Sequence, residues 1–203
     1  MRGNLIHRAV LDATAAAGAA LVLLAAPAHA ALQDRDLNGD TVVDAFYDTE
    51  LDITWLRDAN VNGAMHWGTA VAWAEGFSFA GYSDWRLPTS DTCSTYNCTG
   101  SEMGHLWYVE LGNTAGALTN EGNFQNLQSY PYWSGAEYAP DPNGAWNFNF
   151  ADGYQDSWYK NDNFLYAMAV HPGDVGAVPE PQTYALLLLG LAGLAVARRR
   201  LPR

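Results

Sequence analysis

The sequence predicts an α+β domain over residues 31–175, built from two short helices followed by an antiparallel meander sheet. Three observations lead there. Twenty-five of the 26 Phe, Trp and Tyr residues, including all eight Trp, fall within residues 31–178, enough apolar area to offset chain entropy and disfavour disorder. Apolar residues recur at spacings of three and four in two segments before residue 112, as on a buried helix face. From residue 130 onward the period changes to two, the signature of half-buried strands. The same segment holds four Lys and Arg against twenty Asp and Glu, so a basic nucleic-acid surface is excluded.

The elements follow in chain order. Residues 34–44 (DRDLNGDTVVD) alternate oxygen side chains around Gly39, the pattern of a calcium loop, with Asp34, Asp36, Asn38, Asp40 and Asp44 as candidate ligands. Counted from Asp34, Gly39 takes the sixth position but Ala45 stands twelfth. Counted from Asp36, Thr41 replaces the glycine and Tyr47 stands twelfth. The alternative is an acidic turn whose side chains bond their own backbone. Residues 44–55 are rich in strand formers and read as extended. In residues 67–77, Trp67, Val71, Ala74 and Phe77 give a short helix.

Cys93 and Cys98 are the sole cysteines, and in an exported protein they pair as a local disulfide; a catalytic thiol would need a motif that is missing. Thr99 and Glu102 form a capping box for a second helix over residues 101–111. Met103, Leu106, Trp107 and Leu111 line its buried face, with His105 and Glu110 pointing elsewhere. Residues 132–138 read as a strand, 141–144 (DPNG) as a turn, and Trp146, Phe148 and Phe150 as the buried face of the next strand. Residues 154–160 return, and residues 164–170 close the sheet.

Both termini read as addresses. Residues 1–30 carry Arg2 and Arg8, an apolar run, Pro27 and an Ala28-His29-Ala30 cleavage pattern, which together predict a signal peptide removed by signal peptidase. An uncleaved membrane anchor is the alternative. Residues 178–181 (VPEP) precede an uncharged stretch, 183–197, and then Arg198, Arg199 and Arg200. Fifteen apolar residues give a short transmembrane helix, and the arginines stay cytoplasmic, so the domain lies outside. This order resembles the PEP-CTERM sorting signal of Gram-negative bacteria, here over residues 176–203. The resemblance implies that an exosortase recognises Pro179-Glu180-Pro181, and that the protein is transiently membrane-anchored before reaching the cell surface or exopolysaccharide matrix. A plain C-terminal anchor would place the domain on the same side.

Residues 84–89 (DWRLPT), 132–135 (YWSG), 145–150 (AWNFNF) and 166–171 (YAMAVH) resemble the DUF1566 family, also described as the C-terminal domain of a Legionella collagen-like adhesin. The family implies an α+β domain related to C-type-lectin-like folds. The sorting tail, the compact aromatic domain and the lack of a catalytic signature point to a non-enzymatic, exported surface or matrix protein with a matrix glycan or protein as partner. Binding of charged glycans, associated with the adhesin relative, does not carry over to so acidic a chain unless calcium bridges the two.

Enzyme signatures are missing: no G-x-S-x-G, H-E-x-x-H, Walker loop or dinucleotide fingerprint occurs. His66, His105 and His171 stand without metal-ligand spacing, and apart from calcium no cofactor is implied. Tyr138, Tyr154, Trp158 and Tyr159, near predicted turns, are candidates for stacking on sugar rings, although fold packing also accounts for them. Two further readings stand beside the binding role: a matrix-polysaccharide-active enzyme and a passive structural matrix protein.

Overall fold

The computed structural model describes residues 32–176 together with Leu189 and Leu191. The expected signal peptide, the Pro179-Glu180-Pro181 motif and Arg198 to Arg200 lie outside the described residues, as does the predicted transmembrane stretch apart from those two leucines. Among the described residues no helix is long and apolar enough to cross a membrane.

The strands, in chain order, are β1 (Leu32–Arg35), β2 (Ala45–Asp48), β3 (Ile53–Leu56), β4 (Pro131–Glu137), β5 (Gly144–Asn149), β6 (Tyr154–Tyr159) and β7 (Val170–Pro172). Helix α1 (Trp67–Gly76) and helix α2 (Glu102–His105), which continues as a π-helical turn through Leu106–Glu110, lie between β3 and β4. Two antiparallel sheets result, one ordered β1-β2-β3-β7 and the other β4-β5-β6. The α+β class therefore stands, but the expected single meander is two sheets.

The last strand departs most from expectation. Residues 164–170 do not extend the meander. Tyr166 makes one parallel bridge to Tyr132, and Val170 then pairs with Trp55 of β3 on one side and Arg86 on the other. Ala167, Met168, Ala169 and Val170 are buried one after another, so the segment runs through the interior instead of along a one-sided sheet edge. The expected extended run over residues 44–55 is likewise a hairpin. Asp48 accepts backbone N–H bonds from Glu50 and Leu51 through Oδ1, and Asp52 turns the chain at φ +53°.

Three apolar clusters hold the layers together. The largest joins Phe46 and Trp55 of the first sheet to Met103, Leu106 and Trp107 of the second helix, and to Tyr132, Phe148 and Phe150 of the second sheet. On the opposite face of that sheet, Ala70 and Ala74 of α1 pack with Trp133, Ala145 and Leu165. The buried stripe of α1 is thus the small pair Ala70 and Ala74, with Trp67, Val71 and Phe77 only half-buried. Strand β5 is covered on both faces, which is why Asn147 is buried as deeply as the aromatics flanking it. A third cluster sets Trp85 against Leu56, Ala169 and Val175.

The second helix is capped by Ser101, whose Oγ accepts the Gly104 N–H at 3.0 Å; Thr99 is not the cap. Glu102 is taken instead by Arg86, bidentate at 2.7 and 2.8 Å, and by the Thr89 N–H at 2.7 Å. This pairing satisfies one of the four cations of the acidic segment, as a planar guanidinium does well. The π-helical turn changes which residues share a face. In a regular α-helix, positions 105 and 110 would point about 140° apart; the wider turn brings both inward, and His105 and Glu110 have buried side chains.

Candidate functional site

Three of the four stacking candidates meet in one cleft. Where β4 hands over to β5 and β6 ends, Tyr138, Trp158 and Tyr159 surround an open space of about 410 Å³. Its remaining walls are Asp141, Gly144, Ser157 and Asn163. The register explains the convergence. Gly144 stands opposite Tyr159 and Ala145 opposite Trp158, so the end of β6 is drawn over the start of β5. Gly144 supplies the floor, because a Cβ there would come within 3.2 Å of Tyr138 Cβ and 3.4 Å of the Asp141 carbonyl oxygen.

The cleft is held from outside. Tyr138 packs edge-on against Trp146 with ring centroids 5.2 Å apart. Asp141 Oδ1 accepts the Asn143 N–H at 3.0 Å, shaping the predicted turn. Lys160 Nζ donates to the Pro142 carbonyl at 2.8 Å, pairs with Glu137 at 3.0 Å and stands 4.4 Å from the centre of the Trp67 ring. The charge of the one nearby lysine is thereby engaged, and the cleft offers aromatic faces with hydroxyl, amide and carboxylate groups. Trp158 is half-buried against the α1 cluster, whereas Tyr159 is 57% exposed, so one ring is fixed and the other presented. Apolar ring faces beside a few polar groups are what a sugar requires.

Tyr154, the fourth candidate, sits at the other end of β6. It packs edge-on against Tyr96 at 4.8 Å and belongs to a different construction. That construction is the disulfide loop. Cys93 and Cys98 are bonded as expected. Gln155 donates to Asp91 Oδ1 and to the Cys93 carbonyl, both at 2.7 Å, and Tyr108 receives the Asn97 N–H while donating to the Gly153 carbonyl. The loop therefore clamps the β5–β6 turn to the second helix.

The calcium-loop candidates divide. Carboxylate oxygens of Asp36, Asp40 and Asp44 lie within 4.8 Å of one another. Asp34 is on β1, outside this group, and Asn38 Oδ1 accepts the Asp40 N–H at 2.9 Å. Asp36 accepts N–H bonds from Gly39 and Thr41, and the Thr41 bond above all holds its carboxyl below the usual range. These bonds are those of the acidic turn named as the alternative. Trp85 and Trp133 are buried in the core, and Trp133 Nε1 donates to the Met65 carbonyl at 2.9 Å.

Comparison with known families adds two matches. The model of the Lcl C-terminal domain matches residues 44–171. The chain belongs to the Lcl C-terminal domain family. A second match, over residues 177–200, is to the PEP-CTERM protein-sorting motif, which marks this family member for export and exosortase processing to the cell surface. No curated protein matches the chain. The matched domain spans the whole cleft, from Tyr138 to Asn163, and the sorting motif follows it after a few residues.

Asp141, Gly144, Ser157 and Asn163 were not singled out from sequence. The DPNG stretch is recognisable as a turn, but nothing in a turn signal says that Gly144 faces Tyr159 at the end of a later strand. The β5–β6 pairing supplies that information.

Proposed function

We propose that this Lcl-domain protein is a non-enzymatic adhesin-like component of the cell surface or extracellular matrix that binds neutral glycan in the Tyr138–Trp158–Tyr159 cleft. The observation that carries the reading is the convergence of three aromatic side chains, one fixed and one exposed, around a space of about 410 Å³. A volume in the range of small-molecule sites suits one or two sugar rings. The segment's excess of acids over bases disfavours sulfated or uronic polymers.

In this reading residues 1–30 are removed on export and residues 31–175 are the mature module. Residues 176–203 are the sorting tail, whose short helix anchors the protein in the membrane until exosortase acts. The placement of β1 and β7 in one sheet, with the helices and a second sheet between them in the chain, supports a C-type-lectin-like relation.

The test is titration of the exported protein with neutral oligosaccharides and with the host's own exopolysaccharide, with and without calcium, since Asp36, Asp40 and Asp44 bring three carboxylates together in a loop resembling a calcium site. Saturable binding lost in Trp158→Ala is expected. Absence of binding to any neutral glycan would overturn the ligand assignment, and release of shortened sugar chains would make the protein an enzyme. Replacing Pro179-Glu180-Pro181 by alanines should leave the protein in the inner membrane; normal release of that variant would sink the sorting assignment alone.

A further inference from the structure

A second cluster lies far along the chain from the cleft residues, where the β2–β3 hairpin meets the second helix. Asp48, His105 and Glu110 each bring a ligand-type atom to one point, all within 4.8 Å of one another. His105 Nε2 stands 3.4 Å from Glu110 Oε1 and 3.9 Å from Asp48 Oδ2. The side chains are 7%, 2% and 0% exposed for His105, Glu110 and Asp48. Glu50 reaches in from the hairpin turn, its Oε2 3.9 Å from the same imidazole nitrogen, with a side chain 56% exposed.

The cluster is incomplete by its own chemistry. His105 Nε2 and Glu110 Oε1 are both buried and have no hydrogen-bond partner. Buried polar atoms left unpaired destabilise a fold, and two buried carboxylates facing each other add to that cost. Burial, and after it the Asp48 carboxylate, pushes the Glu110 carboxyl up, with His105 pulling the other way. Asp48 accepts the Glu50 and Leu51 N–H groups through Oδ1, and its Oδ2, which accepts the Trp55 Nε1–H at 3.5 Å, also faces the imidazole.

We propose that Asp48, His105 and Glu110, with Glu50 as a fourth donor from the rim, bind a divalent transition-metal ion of the zinc class. Four donors held tetrahedrally at roughly 2.0–2.2 Å from an ion stand about 3.3–3.6 Å apart; the 3.4 Å His105–Glu110 spacing meets this, and the 3.9 Å His105–Asp48 spacing would close by a few tenths of an ångström. One imidazole with carboxylates suits Zn²⁺ or Co²⁺ more than Ca²⁺, which takes oxygen alone. The ion would neutralise the carboxylates and give both unpaired atoms a partner. Glu110 also lines an open cleft with Leu32, Asp34 and Asn120, which supplies an entry path. The π-helical turn is what makes the site, since it sets positions 105 and 110 on one side. The metal would staple the β2–β3 hairpin to the helix, a structural role independent of the glycan reading.

The experiment is Co²⁺ titration of full-length protein stripped with chelator and kept in detergent, read by visible absorption and by X-ray absorption at the cobalt edge. One Co²⁺ per chain, one imidazole nitrogen in its shell, displacement by Zn²⁺ and a raised melting temperature are expected. Glu110→Gln and His105→Gln should each weaken binding at least about tenfold, while Asp40→Asn in the acidic loop should leave it unchanged. Should His105→Gln fail to fold, the nitrogen count in the wild-type spectrum decides. No cobalt absorption, an all-oxygen shell, or binding lost in Asp40→Asn and kept in Glu110→Gln would overturn the proposal.

Discussion

The two sheets are assembled in different ways. Strands β4, β5 and β6 follow one another along the chain and are joined by short turns, DPNG and the Ala151-Asp152-Gly153 turn. The first sheet is completed only when β7, more than a hundred residues after β3, returns to pair with it. The local sheet carries the exposed aromatic cleft at its end; the closing sheet carries the buried Asp48 carboxylate and, between β1 and β2, the acidic loop. Neighbouring strands in sequence can bring aromatic side chains to a surface by register alone. A buried polar cluster needs long-range pairing to hold it, which ties it to the stability of the whole domain.

The strongest way to break this contrast is to truncate one core tryptophan in each sheet. Trp55→Ala in β3 and Trp133→Ala in β4 should each cost about 3–5 kcal/mol, because both side chains are fully buried. Urea unfolding followed by tryptophan fluorescence and by far-UV circular dichroism should give one coincident transition for each variant. The largest cluster joins both sheets, so two separate transitions would show that they fold independently.

A smaller effect is expected where the disulfide loop meets the second helix. A side chain on Gly104 would overlap the Cys98 carbonyl, so Gly104→Ala should lower stability by about 1–3 kcal/mol through forced backbone movement. Replacing both cysteines by serine should cost roughly 2 kcal/mol for so short a loop. Amide exchange should quicken first around Gly153 and Gln155, which the loop clamps, and leave β3 and β7 unaffected.

Legibility from sequence divides along the same line. The local strands, the position of α1 and the disulfide could be read, since each depends on period, turn residues or composition. Tyr138, Trp158 and Tyr159 could be named one by one. Their meeting could not, because it depends on the pairing of Gly144 with Tyr159. Residues 164–170 look like an ordinary strand, but Ala167 to Val170 are buried in succession, and no local pattern says which sheet they enter. A regular helical period sets His105 and Glu110 off the buried face, whereas the turn is π-helical and carries both inward. The Ser101 cap was missed because Thr99-x-x-Glu102 matched a stronger motif, while Glu102 was drawn away by Arg86.

The smallest stability effects belong to the exposed sites, where the contrast is sharpened instead of broken. Asp36 has its folded-state carboxyl lowered by backbone N–H donors, the Thr41 bond first, so its contribution is present above the ordinary carboxylate range and is lost as pH falls through the lowered value. Asp36→Asn should therefore flatten the acid side of the stability curve, with a small loss of stability at neutral pH that disappears as pH falls. Tyr159→Ala should also stay within about 0.5 kcal/mol in stability, because the ring is exposed.

That last variant gives the most direct measurement of the glycan assignment. Calorimetric titration of a neutral oligosaccharide into wild-type protein and Tyr159→Ala should show binding weakened roughly threefold to tenfold, the worth of one aromatic stacking contact of about 0.5–1.5 kcal/mol, with unfolding unchanged. Equal affinity in the two proteins, or sugar binding that survives when Tyr138, Trp158 and Tyr159 are all replaced in a folded variant, would contradict the placement of the ligand in this cleft.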